Sequence, residues 1–176
     1  MSKRLVSGLI GLLCLLPLAS TALAQSSLAG QGQGQGGNFE SEQYQSWEVR
    51  CPSDGQNAPC SMTQLVTNPD DDQPVMRVII AQPPQADNPI MTFLLPLGVR
   101  LAPGLQLSVD SGEGMPFPYQ VCDQPGCRAD LPLEPSLLQQ LRGGSNASLS
   151  LIGPRGNRRD LNISLMGFTA ASQRIL

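Results

Sequence analysis

From Tyr44 to the C-terminus, apolar and polar residues take turns in short runs, and the runs are separated by segments rich in proline, glycine and aspartate. Successive side chains of a strand point to opposite faces, so such a run paints one face of a sheet. Trp47, Val49 and Cys51 share one side, with Glu48 and Arg50 on the other. Met62, Gln64 and Val66 stand opposite Thr63 and Leu65. Leu105, Leu107 and Val109 alternate with Gln106, Ser108 and Asp110. Ala147, Leu149 and Leu151 alternate with serines, and Leu161, Ile163 and Leu165 with Asn162 and Ser164. Val75–Ala81 and Ile90–Leu95 are almost continuously apolar, which predicts strands covered on both faces. The connectors 68–74, 83–89 and 153–157 have loop composition. Repeated short strands with turn signals predict an all-β fold, a sandwich or partly closed barrel.

One helix interrupts this pattern. Pro135 suits a first helical position, Leu137, Leu138 and Leu141 share a face, Arg142 suits the last turn, and Gly143 suits a left-handed cap. With few aromatic residues available, the core is predicted to be aliphatic. Met62, Met76, Met91, Met115 and Met166 are assigned to filling its gaps rather than to copper handling.

The N-terminus reads differently. Met1-Ser2-Lys3-Arg4 is cationic, Leu5–Ala19 is apolar, and Ala22-Leu23-Ala24 has the small-x-small pattern of a cleavage site. Residues 1–24 therefore predict a secretory signal peptide cut after Ala24, too short in its apolar run for a membrane anchor. Cys14 leaves with it. Residues 25–42, with a Gly/Gln repeat at 30–37, predict a flexible spacer, and 43–176 a single β-rich domain. The expected location is the periplasm or the cell surface.

Removing the leader removes the only lysine. Nine arginines then face all 14 acids, five net negative charges, and the chain has no histidine. Such a surface is a poor match for nucleic acid or anionic lipid. The usual general base, the usual zinc ligand and Schiff-base chemistry are missing as well. No cofactor or metal site is expected. Carboxylate-pair catalysis and pure binding survive these exclusions, and the expectation is a non-enzymatic binding domain whose partner is a protein or an envelope component. Asp110, Glu113, Asp123 and Asp130 are the candidates for the alternative, a carboxylate-dependent hydrolase acting on envelope glycans. A periplasmic chaperone-like role is the third reading, and it would require a large exposed apolar patch.

An oxidising compartment lets the remaining Cys51, Cys60, Cys122 and Cys127 form disulfides. Three pairings are open. Cys51–Cys60 with Cys122–Cys127 is favoured, because each pair brackets a short turn-forming loop; each bond would contribute about 2–3 kcal/mol. Asp70, Asp71 and Asp72 are expected to form a solvated turn rather than a calcium site. Arg155, Arg158 and Arg159 are the one basic cluster. They sit on an expected hairpin tip, where guanidinium groups could grip an anionic partner.

Several pieces occur in order: Trp47–Cys51; Cys60-Ser61-Met62-Thr63-Gln64; Pro96-Leu97-Gly98-Val99-Arg100-Leu101 with Gly104-Leu105; Cys122 with Gly126-Cys127; and Ser164-Leu165-Met166-Gly167-Phe168. Together they resemble the invasion-associated locus B family of bacterial exported proteins. The resemblance implies a periplasmic or surface β-domain, linked in some relatives to host-cell invasion. It supplies no catalytic residues.

Overall fold

The computed structural model describes residues 39–53 and 58–176. The leader and residues 25–38 of the expected spacer lie outside that range. Strands β1 (Phe39–Tyr44), β2 (Trp47–Pro52), β3 (Ser61–Thr67), β4 (Pro74–Ala81), β5 (Ile90–Leu95), β9 (Gly126–Pro132) and β8 (Val121–Asp123) follow one another across a seven-stranded antiparallel sheet. A second sheet orders β11 (Arg158–Ser164), β10 (Asn146–Ile152), β6 (Leu105–Val109) and β7 (Met115–Phe117). Neither sheet closes into a barrel, so of the two expected architectures the open, two-sheet one is found.

The alternation places the core. Trp47, Val49 and Cys51 of β2 and Met62 and Val66 of β3 are buried. They share one apolar cluster with Leu105, Leu107, Ala147, Leu149, Leu151 and Ile163 of the smaller sheet. The expectation of two covered faces for β4 and β5 is corrected. Met76, Val78 and Ile80 are buried, but Arg77 is exposed and Val75 and Ile79 are only half-buried. Antiparallel sheets need only one covered face, and apolar residues on the other face sit among polar neighbours at modest cost. Three of the five methionines fill the core as expected. Met115 and Met166 are exposed, one on the short β7 and one in the tight turn after β11.

Both disulfides form in the favoured pairing. Cys122 and Cys127 are cross-strand partners between β8 and β9. Cys51 and Cys60 occupy the rung beyond the Arg50–Ser61 pair of β2 and β3. Each bridge therefore pins the register of one hairpin.

Three further expectations are corrected. The expected spacer runs through residue 42, yet Phe39–Glu42 belong to β1 and pair with Val49–Pro52. Every residue of β1 but Tyr44 is exposed, so this edge strand buries no face that would produce an alternation. A second helix, α2 (Phe168–Ile175), follows the expected α1 (Pro135–Gly143). It has no side-chain N-cap and too few residues to show a helical period, so nothing local announces it. Finally, α1 ends at an extended Gly144 with φ −84° rather than a left-handed Gly143. A Cβ on Gly144 would come within 2.6 Å of Val109 Cγ1, so close packing rather than backbone handedness calls for glycine there.

The helices pack together. Arg142 Nε donates to Ser172 Oγ at 3.0 Å, and Thr169 Oγ1 donates to the Arg142 carbonyl at 2.8 Å. Helix α2 lies against β1, β2 and β3 and buries Phe168 and Ala171 in the core.

Candidate functional site

The feature that departs most from a closed sandwich is the outer edge of β11. In an antiparallel ladder, alternate residues turn their N–H and C=O groups toward one neighbour and then the other. Leu165 N–H donates to the Ser145 carbonyl, and Gly153 N–H to the Asn157 carbonyl. The odd-numbered residues of β11 thus face β10. The even-numbered ones, Arg158, Asp160, Asn162 and Ser164, turn their backbone groups outward.

At Ser164 this outward edge is closed by side chains. The Gln64 carboxamide accepts from Ser164 N–H at 2.9 Å and donates to the Ser164 carbonyl at 2.8 Å, as a neighbouring strand would. Trp47 Nε1 donates to the same carbonyl at 2.9 Å, and Ser46 Oγ donates to Ser164 Oγ at 3.0 Å. Trp47 also meets Phe168 edge-to-face, with ring centroids 5.3 Å apart. Gly167, which starts α2 at φ 84°, packs so tightly on the Tyr44 carbonyl that a Cβ there would strike it. Gln64 is the polar member of the buried Met62–Gln64–Val66 set. That buried polar residue is the sequence signal that could have revealed the latch, but its partner lies 100 residues away.

Beyond Ser164 the edge opens. A cleft of about 910 Å³ separates β11 from β3, with Leu65, Val66 and Val75 among its lining on one side and Arg158–Asn162 on the other. Arg159 and Leu161 also line a smaller apolar pit of about 100 Å³, formed with Leu97, Val99 and Pro154. The segment 96–101, which carries part of the family likeness, thus supplies one wall of the pit.

The three expected arginines are brought to this end of β11, but not to one face. Arg155 is exposed in the β10–β11 turn. Arg158 and Arg159 are consecutive strand residues and point to opposite faces. Arg158 Nε pairs with Asp160 Oδ1 at 2.9 Å and its Nη2 donates to Ser150 Oγ at 2.7 Å, while Ser150 Oγ donates to Asp160. The Ser150 hydroxyl first, then the Arg158 guanidinium, hold the Asp160 carboxyl below the ordinary carboxylate range. Arg159 is paired across the ladder with Leu151 and turns into the cleft and the pit. The Arg100 guanidinium, not singled out from sequence as a candidate, packs over the same turn, 3.5 Å from where a Cβ of Gly156 would stand. Among the described residues, Arg100, Arg155 and Arg159 form no ion pair.

The candidate catalytic carboxylates do not converge on this cleft. Asp110, held at φ 49°, accepts from the Ser145 and Asn146 amides at 3.2 and 3.0 Å beside the smaller sheet. Asp130 accepts from Thr92 Oγ1 at 2.7 Å and pairs with Arg128 at 2.9 Å on the larger one. Glu113 and Asp123 are exposed, and none of the four lines the cleft, the pit or the small hollow by Gln106. Asp70, Asp71 and Asp72 form an exposed turn, in which Asp71 Oδ1 accepts from the Gln73 amide at 3.1 Å. On the outer face of the larger sheet, exposed Leu65, Leu94 and Val121 fall in one cross-strand row with Arg77 and Arg128 between them. No helix among the described residues is long and apolar enough to cross a membrane.

The described residues form a two-sheet domain with two hairpin disulfides and an edge strand latched by Trp47 and Gln64. Residues 47–176 match the family model of the invasion associated locus B (IalB) protein, and the chain belongs to that family. The invasion protein B homologs of Brucella abortus strain 2308 and of biovar 1 strain 9-941 are each 27% identical over 163 residues, covering 91% of this chain and 92% of theirs. The crystal structure of invasion associated protein B from Bartonella henselae superposes with a TM-score of 0.68. It is 20% identical, covering 77% of this chain and 95% of that one, and it corroborates the fold.

Proposed function

We propose that this chain is an exported, non-enzymatic binding domain of the cell envelope, released from its leader after Ala24, which engages a protein or another envelope component in the periplasm or at the cell surface. The observation that carries this reading is the half-open edge of β11: a strand whose outward backbone groups have no partner among the described residues, flanked by arginines without an ion pair there and by an apolar pit, supports contact with another molecule. Two disulfides suit an oxidising compartment. The names of its relatives extend the reading to contact with host cells.

A photo-crosslinking residue placed at Leu65 or Asn68 on the cleft, in the producing bacterium, should yield a discrete conjugate with an envelope component. The same residue at the distant Asp123 should not. Absence of conjugates from every cleft position would overturn the binding reading, and cleavage of envelope glycan by the purified domain would overturn its non-enzymatic part. Deletion of the gene should lower attachment to or entry into host cells. Unchanged entry would remove the invasion role and leave the binding role standing.

A further inference from the structure

We propose that the occupant of the cleft is an extended peptide segment of another protein, carrying an aliphatic residue beside an acidic one, and that it adds to the smaller sheet as a fifth strand along β11. The proposal rests on the binding reading above and names its partner class.

Three observations converge. First, Arg158, Asp160 and Asn162 turn their N–H and C=O groups into the cleft, and the ladder hydrogen bonds they offer are those an added strand accepts and returns. An anionic lipid headgroup or a glycan could meet the arginines but would leave this backbone row unmatched. Second, Gln64 already performs the same pairing at Ser164, which shows that the geometry of this edge accepts a planar amide from the cleft side. Third, the side chains that an added strand would meet are Arg159 and Leu161 at the apolar pit, with exposed Arg155 and the Arg100 guanidinium at the adjoining turn. An aliphatic side chain suits a pit of about 100 Å³, and a neighbouring carboxylate can be gripped by a guanidinium in bidentate fashion.

This corner is cationic on a domain that is acidic as a whole, which favours an acidic occupant. Asp70, Asp71 and Asp72 follow Pro69 on the loop beyond the opposite wall. None pairs with the arginines, so they temper the attraction without neutralising it.

The test uses the oxidised mature chain and a displayed library of random octapeptides. Enriched peptides should carry an aspartate or glutamate next to a valine, leucine or isoleucine. N-methylation of alternate backbone amides in the synthesised winners should weaken binding roughly tenfold or more, because ladder bonds are lost. On binding, amide exchange at Asp160 and Asn162 should slow about tenfold, through new backbone pairing. The Arg155→Ala/Arg159→Ala double variant should weaken binding roughly tenfold with an unchanged melting temperature. Replacing Asp70, Asp71 and Asp72 by Asn should tighten it severalfold. No enrichment, winners without an acid, indifference to N-methylation, or binding only to vesicles of anionic phosphatidylglycerol would overturn the proposal. So would slowed exchange at Asp160 that appears without peptide and tracks concentration-dependent sedimentation, since the occupant would then be a second copy. Cleft crosslinks that persist when the peptide result fails would sink this partner class and spare the binding reading.

Discussion

The two ends of β11 receive opposite treatment. At Ser164 the outward backbone is matched by Gln64, Trp47 donates to the same carbonyl, and the rings of Trp47 and Phe168 seal the junction. A few residues earlier, at Asp160 and Asn162, the same edge faces an open cleft. An exposed edge invites pairing with other chains, and proteins usually blunt it. Here β7 is three residues long and contains Pro116, β8 is also three residues long, and β1 carries Glu40 and Glu42. Only half of β11 is blunted. The difference separates residues that hold the sheets together from residues left available for contact.

The sharpest way to break that division is Trp47→Ala. It removes a fully buried ring and a hydrogen bond, and should cost about 3–5 kcal/mol in denaturant unfolding. A near-neutral result would place the latch elsewhere. Gln64→Leu keeps the volume but leaves the part-buried Ser164 amide N–H without its partner, and should cost about 1–3 kcal/mol. A loss at Gln64 as small as that of a surface substitution would show that water replaces the carboxamide freely. At the open end the expected effects shrink. Asp160 has its pKa lowered in the folded state, so its contribution is present above the unfolded carboxylate pKa and fades as pH falls through the lower folded value. Unfolding profiles of wild type and Asp160→Asn should therefore converge at acid pH and differ slightly near neutrality, less so in high salt. Arg159→Ala should leave the folded state within about 0.5 kcal/mol of wild type. A larger cost would mean that Arg159 serves packing and not contact.

Much of the frame was legible in the sequence because a half-buried strand writes its own period. The alternations at 47–51, 62–66, 105–109, 147–151 and 161–165 all mark real strands, and Pro135 marks the start of α1. Local disulfides were legible because turn-forming loops hold their cysteines together. β1 was not, since an exposed edge strand has no face to bury, and α2 was not, since its helicity depends on packing Phe168 against β2 and β3. The site was half legible. Its arginines stand out in a chain with so few cations, yet the cleft beside them arises from two strands about 100 residues apart. The outward direction of Asp160 and Asn162 depends on register, which no composition encodes.

The junction that fixes the core joins Trp47 and Gln64, near the start of the domain, to Ser164 and Phe168, near its end. A chain synthesised from its N-terminus cannot settle into its final state until almost its last residues have emerged. On the export reading proposed above, that delay would be an asset, because it would keep the molecule pliant until translocation is within reach.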